Sequence, residues 1–159
     1  MKDKQTYLIL HNIRSLHNVG SIFRTADAAG VSKIYLTGYT PAPHDKLGRL
    51  EQNFAKSALG AEKFVEWSKT KNIGPLLSKL KKQGVQIVAV EQDAASTIYS
   101  KFKPKRSIAL ILGNEVAGLN RSILKKCDAI LEIPMRGQKE SLNVSVAAGI
   151  VLFAPPLQK

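Results

Sequence analysis

Five short runs of the chain are apolar at nearly every position: residues 6–10 (TYLIL), 33–38 (KIYLTG), 85–91 (VQIVAVE), 107–113 (SIALILG) and 129–134 (AILEIP). Short runs of this kind suit strands of a parallel sheet covered on both faces. Between them the pattern predicts helices over residues 19–29, 73–83, 121–126 and 144–153. In the first helix Val19, Ile22, Phe23 and Ala26 recur at i, i+3, i+4 and i+7 and share one face. Gly20, Arg24 and Asp27 share the opposite side. The alternation predicts an α/β fold: a mostly parallel sheet with helices on both faces, in a single domain over residues 1–159 with no separate extension. Residues 40–53, rich in proline and polar side chains, form a loop long for such a unit, suited equally to a binding loop and to a surface excursion.

Composition adds a partner class. Lys plus Arg number 24 against 12 Asp plus Glu, a net charge of +12 on 159 residues, which points to a polyanion and first of all to nucleic acid. Two basic clusters, KLKK (residues 79–82) and KFKPKR (residues 101–106), are candidates for phosphate contact. Cys127 is the single cysteine, so no internal disulfide forms, in keeping with a reducing compartment. His11, His17 and His44 lack metal-ligand spacing, and no metal is expected. No signal peptide opens the chain, and its longest apolar run is too short to span a bilayer; no membrane partner and a cytoplasmic location are expected.

Three polar clusters interrupt this apolar frame. In residues 12–30, Asn18 is suited to cap a helix, and Gly20 spends helix stability in a way that suggests a close approach. In residues 110–120, Gly113 and Gly118 have the spacing of a phosphate-binding loop, but Leu119 and Asn120 stand where that motif needs Lys and Ser or Thr. What remains is a glycine-bent loop carrying Asn114 and Glu115 at a strand's carboxyl end, where open α/β sheets bind ligands. The third cluster runs from Arg136 to Asn143 between two apolar segments. A cap by Ser141 or Asn143 accounts for one polar residue there and leaves the others unexplained.

The segments NVGSIFRTADAAG, LILGNEVAGL and IPMRGQKESLNVSVAAGIVLF resemble, in order and separation, the three motifs of the SpoU/TrmH family. These are knotted SPOUT-class RNA methyltransferases that use S-adenosylmethionine. KSALGAEKFVEW, residues 56–67, is similar to the family segment joining the first two motifs. The resemblance implies a deep C-terminal trefoil knot, which the periodicity does not reveal. It implies methyl transfer to a ribose 2′-hydroxyl of tRNA or rRNA. It implies cofactor contacts from Val90, Leu112, Gly113, Ile133, Met135, Ser141 and Leu142, and an active site of Asn18, Arg24, Glu115, Ser141 and Asn143. On this reading Arg24 is a cation for phosphate and developing alkoxide, since a guanidinium rarely gives up its proton, and Glu115 orients Arg24 or Asn18. His17 is a second candidate proton acceptor. The family also packs its last helix against a second subunit. NVSVAAGIVLF is apolar around nearly its whole circumference and needs cover on every side, so a homodimer is expected. Two other readings are a base-modifying knotted methyltransferase and a non-catalytic RNA-binding protein of the same fold.

Overall fold

The computed structural model describes residues 4–155 and 157; residues 1–3, 156 and 158–159, included in the single-domain expectation, lie outside them. Seven strands form one sheet: β1 (Thr6–His11), β2 (Lys33–Thr37), β3 (Trp67–Thr70), β4 (Gln86–Val90), β5 (Thr97–Ile98), β6 (Ile108–Leu112) and β7 (Ala129–Glu132). Their order is β3-β2-β1-β6-β4-β7-β5, and every pairing is parallel. All five apolar runs became strands. β6 lies at the centre, buried at every residue. Its neighbours are β1 and β4, so the chain reverses its direction of growth there, and the carboxyl ends on either side of such a point form a crevice.

Helices cover both faces. α1 (Leu16–Ala28), α2 (Gln52–Ala58) and α5 (Val144–Leu152) contribute to one core cluster with Leu8, Leu10, Val88, Leu110 and Leu131. α3 (Ile73–Lys82) and α4 (Arg121–Leu124) contribute to the second, with Ile9, Ile87, Ala89 and Ile111. Alternate strand residues thus face opposite cores, which is why the strands read as unbroken apolar runs.

Three features departed from the sequence pattern. α1 starts at Leu16, and its N-cap is Ser15, whose hydroxyl accepts from the Asn18 amide at 3.2 Å. Asn18 is therefore no cap; it lies inside the first turn with its carboxamide free for other partners. α2 occupies the end of the expected loop. Gly20 of α1 is what lets α2 approach: a Cβ there would lie 2.6 Å from the Phe54 carbonyl oxygen. Phe23 and Phe54 meet edge to face across the same crossing, 5.1 Å apart. β3 and β5 went unforeseen because β3 is a half-exposed edge strand, WSKT, and β5 has only two residues.

Candidate functional site

The carboxyl ends of β4, β6 and β7 enclose a cavity of about 340 Å³. Val90, Leu112, Gly113, Ile133, Met135, Ser141 and Leu142, the seven residues expected to contact a cofactor, all line it. Its wall closes through two hydrogen bonds. Gln92, just past β4, donates its side-chain amide to the Glu140 carbonyl at 2.6 Å, tying the strand end to the 133–143 segment. Glu91 accepts from the Leu119 amide at 3.0 Å and packs against Gly118. Gln92 carries no sequence signal beyond ending an apolar strand with a polar pair.

Gly113, which lines the cavity, is also crowded by the protein's own loop. A Cβ there would meet the Gly118 carbonyl carbon and Leu119 Cδ2, each at 2.8 Å. The turn from Asn114 to Gly118 folds back over Gly113, so the missing side chain makes room for the protein's own loop. Asn114 holds that turn with its whole carboxamide. Oδ1 accepts from the amides of Val116 and Ala117 at 2.9 and 2.7 Å, while Nδ2 donates to the Asn12 carbonyl and the Tyr39 hydroxyl at 3.0 and 2.9 Å.

The turn aims Glu115 at the start of α1. Its carboxylate accepts from the backbone amides of Arg14 and Ser15, at 3.0 and 3.1 Å, and from Asn18 Nδ2 at 3.2 Å. Asn18 Oδ1 accepts in turn from Asn143 Nδ2 at 3.1 Å. Asn143 caps α5, accepting from the Ser145 amide at 2.8 Å. One hydrogen-bonded chain, Glu115–Asn18–Asn143, thus joins three distant segments beside the cavity, with Ser141 in the cavity wall. Burial pushes the Glu115 pKa up, but the donated hydrogen bonds from Arg14, Ser15 and Asn18 outweigh it and hold the carboxyl below its ordinary value. Glu115 is an anion that orients Asn18, and a weak proton acceptor.

Arg24 does not join this group. It lies six residues beyond Asn18 on α1, about 9 Å along the axis and about 120° around it. It is exposed and lines a separate hollow with Ser21, Thr25, Ala28, Ser57 and Phe153. Among the described residues Glu115 makes no contact with Arg24, so of its two expected partners it takes Asn18 alone. His17 is exposed, with its carbonyl accepting from the Ser57 hydroxyl at 2.9 Å. Part of each basic cluster is displaced: Lys81 and Lys82 precede β4, Lys105 and Arg106 precede β6, at the strand ends away from the cavity, while Lys101 follows the carboxyl end of β5. Asp128 there pairs with Lys81 at 3.1 Å and approaches Arg106 at 4.0 Å. Among the described residues no helix is long and apolar enough to cross a membrane.

A family model described as the SpoU rRNA Methylase family matches residues 5–153. A 23S rRNA (guanosine-2′-O-)-methyltransferase, RlmB, of Salmonella typhi is 35% identical over 159 residues, covering 100% of this chain and 63% of that protein. The Neisseria meningitidis protein of the same name is 39% identical over 145 residues, 91% of this chain and 55% of that one. The chain spans less than two-thirds of the length of these curated relatives. An AdoMet-bound rRNA methyltransferase from Sinorhizobium meliloti superposes with a TM-score of 0.85 at 30% identity, covering 96% of this chain and 56% of the other. A TrmH/SpoU tRNA modifying enzyme from A. aeolicus gives 0.82 at 31% identity, covering 96% and 74%.

Proposed function

This chain belongs to the SpoU rRNA Methylase family, and from that premise we propose that it transfers a methyl group from S-adenosylmethionine to a ribose 2′-hydroxyl of tRNA or rRNA. The observation that carries the reading is the Glu115–Asn18–Asn143 chain set beside the cavity. A purely RNA-binding protein has no need of the cavity.

The cavity lining fits the proposed cofactor. Val90, Leu112, Ile133, Met135 and Leu142 offer apolar side chains to a flat purine, and Ser141 offers a hydroxyl. When bound, the cofactor supplies an electrophilic methyl group on a sulfonium. Asn18 and Asn143 are each held at both ends of the carboxamide, and the second Nδ2–H of each is preorganised to reach a ribose oxygen. Glu115 keeps Asn18 in one orientation. The 133–143 segment excludes water from one side of the site.

The homodimer is part of the same proposal. α5 buries Val144, Ala148, Val151 and Leu152, yet Val146 and Phe153 are each 48% exposed. Phe153 shares its hollow with Arg24, so a second copy covering the outer face of α5 encloses Arg24 as well. Within one chain Arg24 does not reach the cavity; a catalytic role for it therefore runs across a subunit interface. The return of residues 99–107 from edge strand β5 to central β6, with Tyr99 and Phe102 packed on the core that α5 joins, supports the threaded C-terminus of the family. A cytoplasmic location is part of the same proposal, and an RNA substrate supports it.

The test is methyl transfer from labelled S-adenosylmethionine to tRNA and rRNA, followed by nuclease digestion and mass analysis of the nucleosides. A 2′-O-methylated nucleoside supports the proposal. A methylated base, or cofactor binding without transfer to any RNA, overturns it.

A further inference from the structure

His11 ends β1, opposite Thr37 at the end of β2, and is only 8% exposed. Its surroundings admit one tautomer. Asn12 Nδ2 can only donate, so the neutral ring carries its proton on Nδ1, which donates to the Thr37 hydroxyl at 2.9 Å. The other ring nitrogen, Nε2, faces Asn12 Nδ2 at 3.2 Å and accepts from it. Asn12 Oδ1 accepts from the Tyr39 amide at 3.2 Å. A proton on Nε2 sets two donors face to face. Flipping the Asn12 amide would relieve that contact only by setting Nδ2 against the Tyr39 N–H. No orientation of Asn12 satisfies both neighbours once the ring is charged.

Asn12 has little room to turn aside. Its backbone is left-handed, with φ of 58°, and a Cβ built on Gly38 would lie 2.9 Å from its Cγ. What Asn12 and Tyr39 hold is the loop of the site, since the Asn12 carbonyl and the Tyr39 hydroxyl are the two acceptors for Asn114 Nδ2. Asn114 in turn shapes the turn that carries Glu115, and Glu115 orients Asn18.

We propose that His11 is a positioning residue: its neutral ring locks Asn12 and, through Asn114, the Glu115 turn, and its protonation releases them. Among the described residues, the titratable and charged groups that follow the neighbouring strand ends or lead into α1 include Tyr39 beyond β2, Lys71 beyond β3, Glu115 beyond β6 and Arg14 ahead of α1. Tyr39 is bonded to Asn114, and the Glu115 carboxylate is bonded to the amides of Arg14 and Ser15 and to Asn18. Burial lowers the ring's pKa from 6.5, so the neutral ring holds at pH 7 and the switch lies on the acid side. For catalysis the proposal rests on the methyltransferase reading; for the coupling of His11 to the turn it does not.

The test has two arms. In the first, the side-chain amide resonances of Asn12 and Asn114 are followed by NMR while the His11 ring is titrated. Both should move with the midpoint of His11, below pH 6.5, and stay still over that range in His11→Gln, which keeps an acceptor toward Asn12 but does not titrate. An Asn114 resonance indifferent to the His11 titration in the wild-type protein overturns the proposal, whether or not the variant folds. In the second arm, kcat for methyl transfer should fall about tenfold per pH unit below the same midpoint, with that limb absent in His11→Gln. Identical acid limbs in the two proteins overturn the role in catalysis. Absence of transfer by the wild-type protein at every pH counts against the methyltransferase reading, and the first arm then decides the coupling alone.

Discussion

Glu115 is surrounded by donors, and its replacement is the sharpest single-residue probe of the site. Glu115→Gln keeps the shape but turns an NH₂ group toward the Arg14 and Ser15 amides or toward Asn18. Loss of charge-assisted bonds of this kind costs about 1–3 kcal/mol. Methyl transfer should fall at least about tenfold, read as kcat at saturating cofactor, because Asn18 loses its fixed orientation. The carboxyl also has a pH signature. Its folded pKa is lowered from 4.5, so its contribution to stability is fully present above that value and is lost as pH falls through the lower folded value. Denaturant unfolding between pH 5 and 3 should show a steeper loss of stability in the wild-type protein than in Glu115→Gln; parallel curves would show that the carboxylate gains nothing from its donors. Gly113→Ala tests the loop reading. A Cβ pressed against Gly118 and Leu119 should cost about 1–3 kcal/mol in thermal or denaturant unfolding. It should weaken S-adenosylmethionine binding by displacing the turn. Unchanged stability with lost binding would restore the simpler idea that this glycine clears space for the ligand itself.

At the scale of the element, α1 and α5 each serve the fold with one face and leave another for function. α1 buries Val19, Ile22, Phe23 and Ala26, presents Asn18 to Glu115 and Asn143, and carries Arg24 on exposed surface. α5 exposes Val146 beside an otherwise apolar helix. In the proposed dimer Val146→Asp buries an unpaired charge at the contact, so sedimentation at micromolar concentration should show the wild type as a dimer and the variant largely as a monomer. A monomeric wild type would remove the dimer. Arg24→Lys keeps the charge but loses the planar fork, and methyl transfer should drop by about two orders of magnitude while calorimetric affinity for S-adenosylmethionine stays within about threefold. Near-normal transfer would show that a simple cation suffices there.

For the molecule as a whole, charge is divided between two ends of the sheet. The cavity end carries Arg14, Arg136 and Lys139, all exposed. The opposite end carries Lys81, Lys82, Lys105 and Arg106, partly neutralised by Asp128. RNA presenting a ribose to the cavity meets the first group. Arg136→Glu with Lys139→Glu should therefore weaken RNA binding about tenfold and reduce its salt dependence by roughly one to two units of slope. Lys81→Glu with Lys105→Glu should change it by no more than about twofold. Equal losses from both pairs would mean that the RNA wraps the whole domain.

By itself the sequence determined the α/β class, five of the seven strands and the covered faces of the sheet. Each of these rests on local pattern: β6 reads as a buried strand because both its faces are apolar, and the polar run from Arg136 to Asn143 stands out against two apolar neighbours. Tertiary structure decided the rest. Asn18 reads as a helix cap until Ser15 takes that place and Glu115, 97 residues away, claims its amide. Gly113 lines the cavity and also makes room for the turn that folds over it, a contact no local pattern reports. Arg24 and Asn18 share a motif and a helix yet point apart, because a helix turns each residue by about 100°. Lys81, Lys82, Lys105 and Arg106 lie away from the cavity because they directly precede strands whose opposite ends build it. Local pattern reports what a residue buries; which distant group it meets is set by strand order, and the order β1-β6-β4 is formed by pairings between segments roughly 20 to 100 residues apart in the chain.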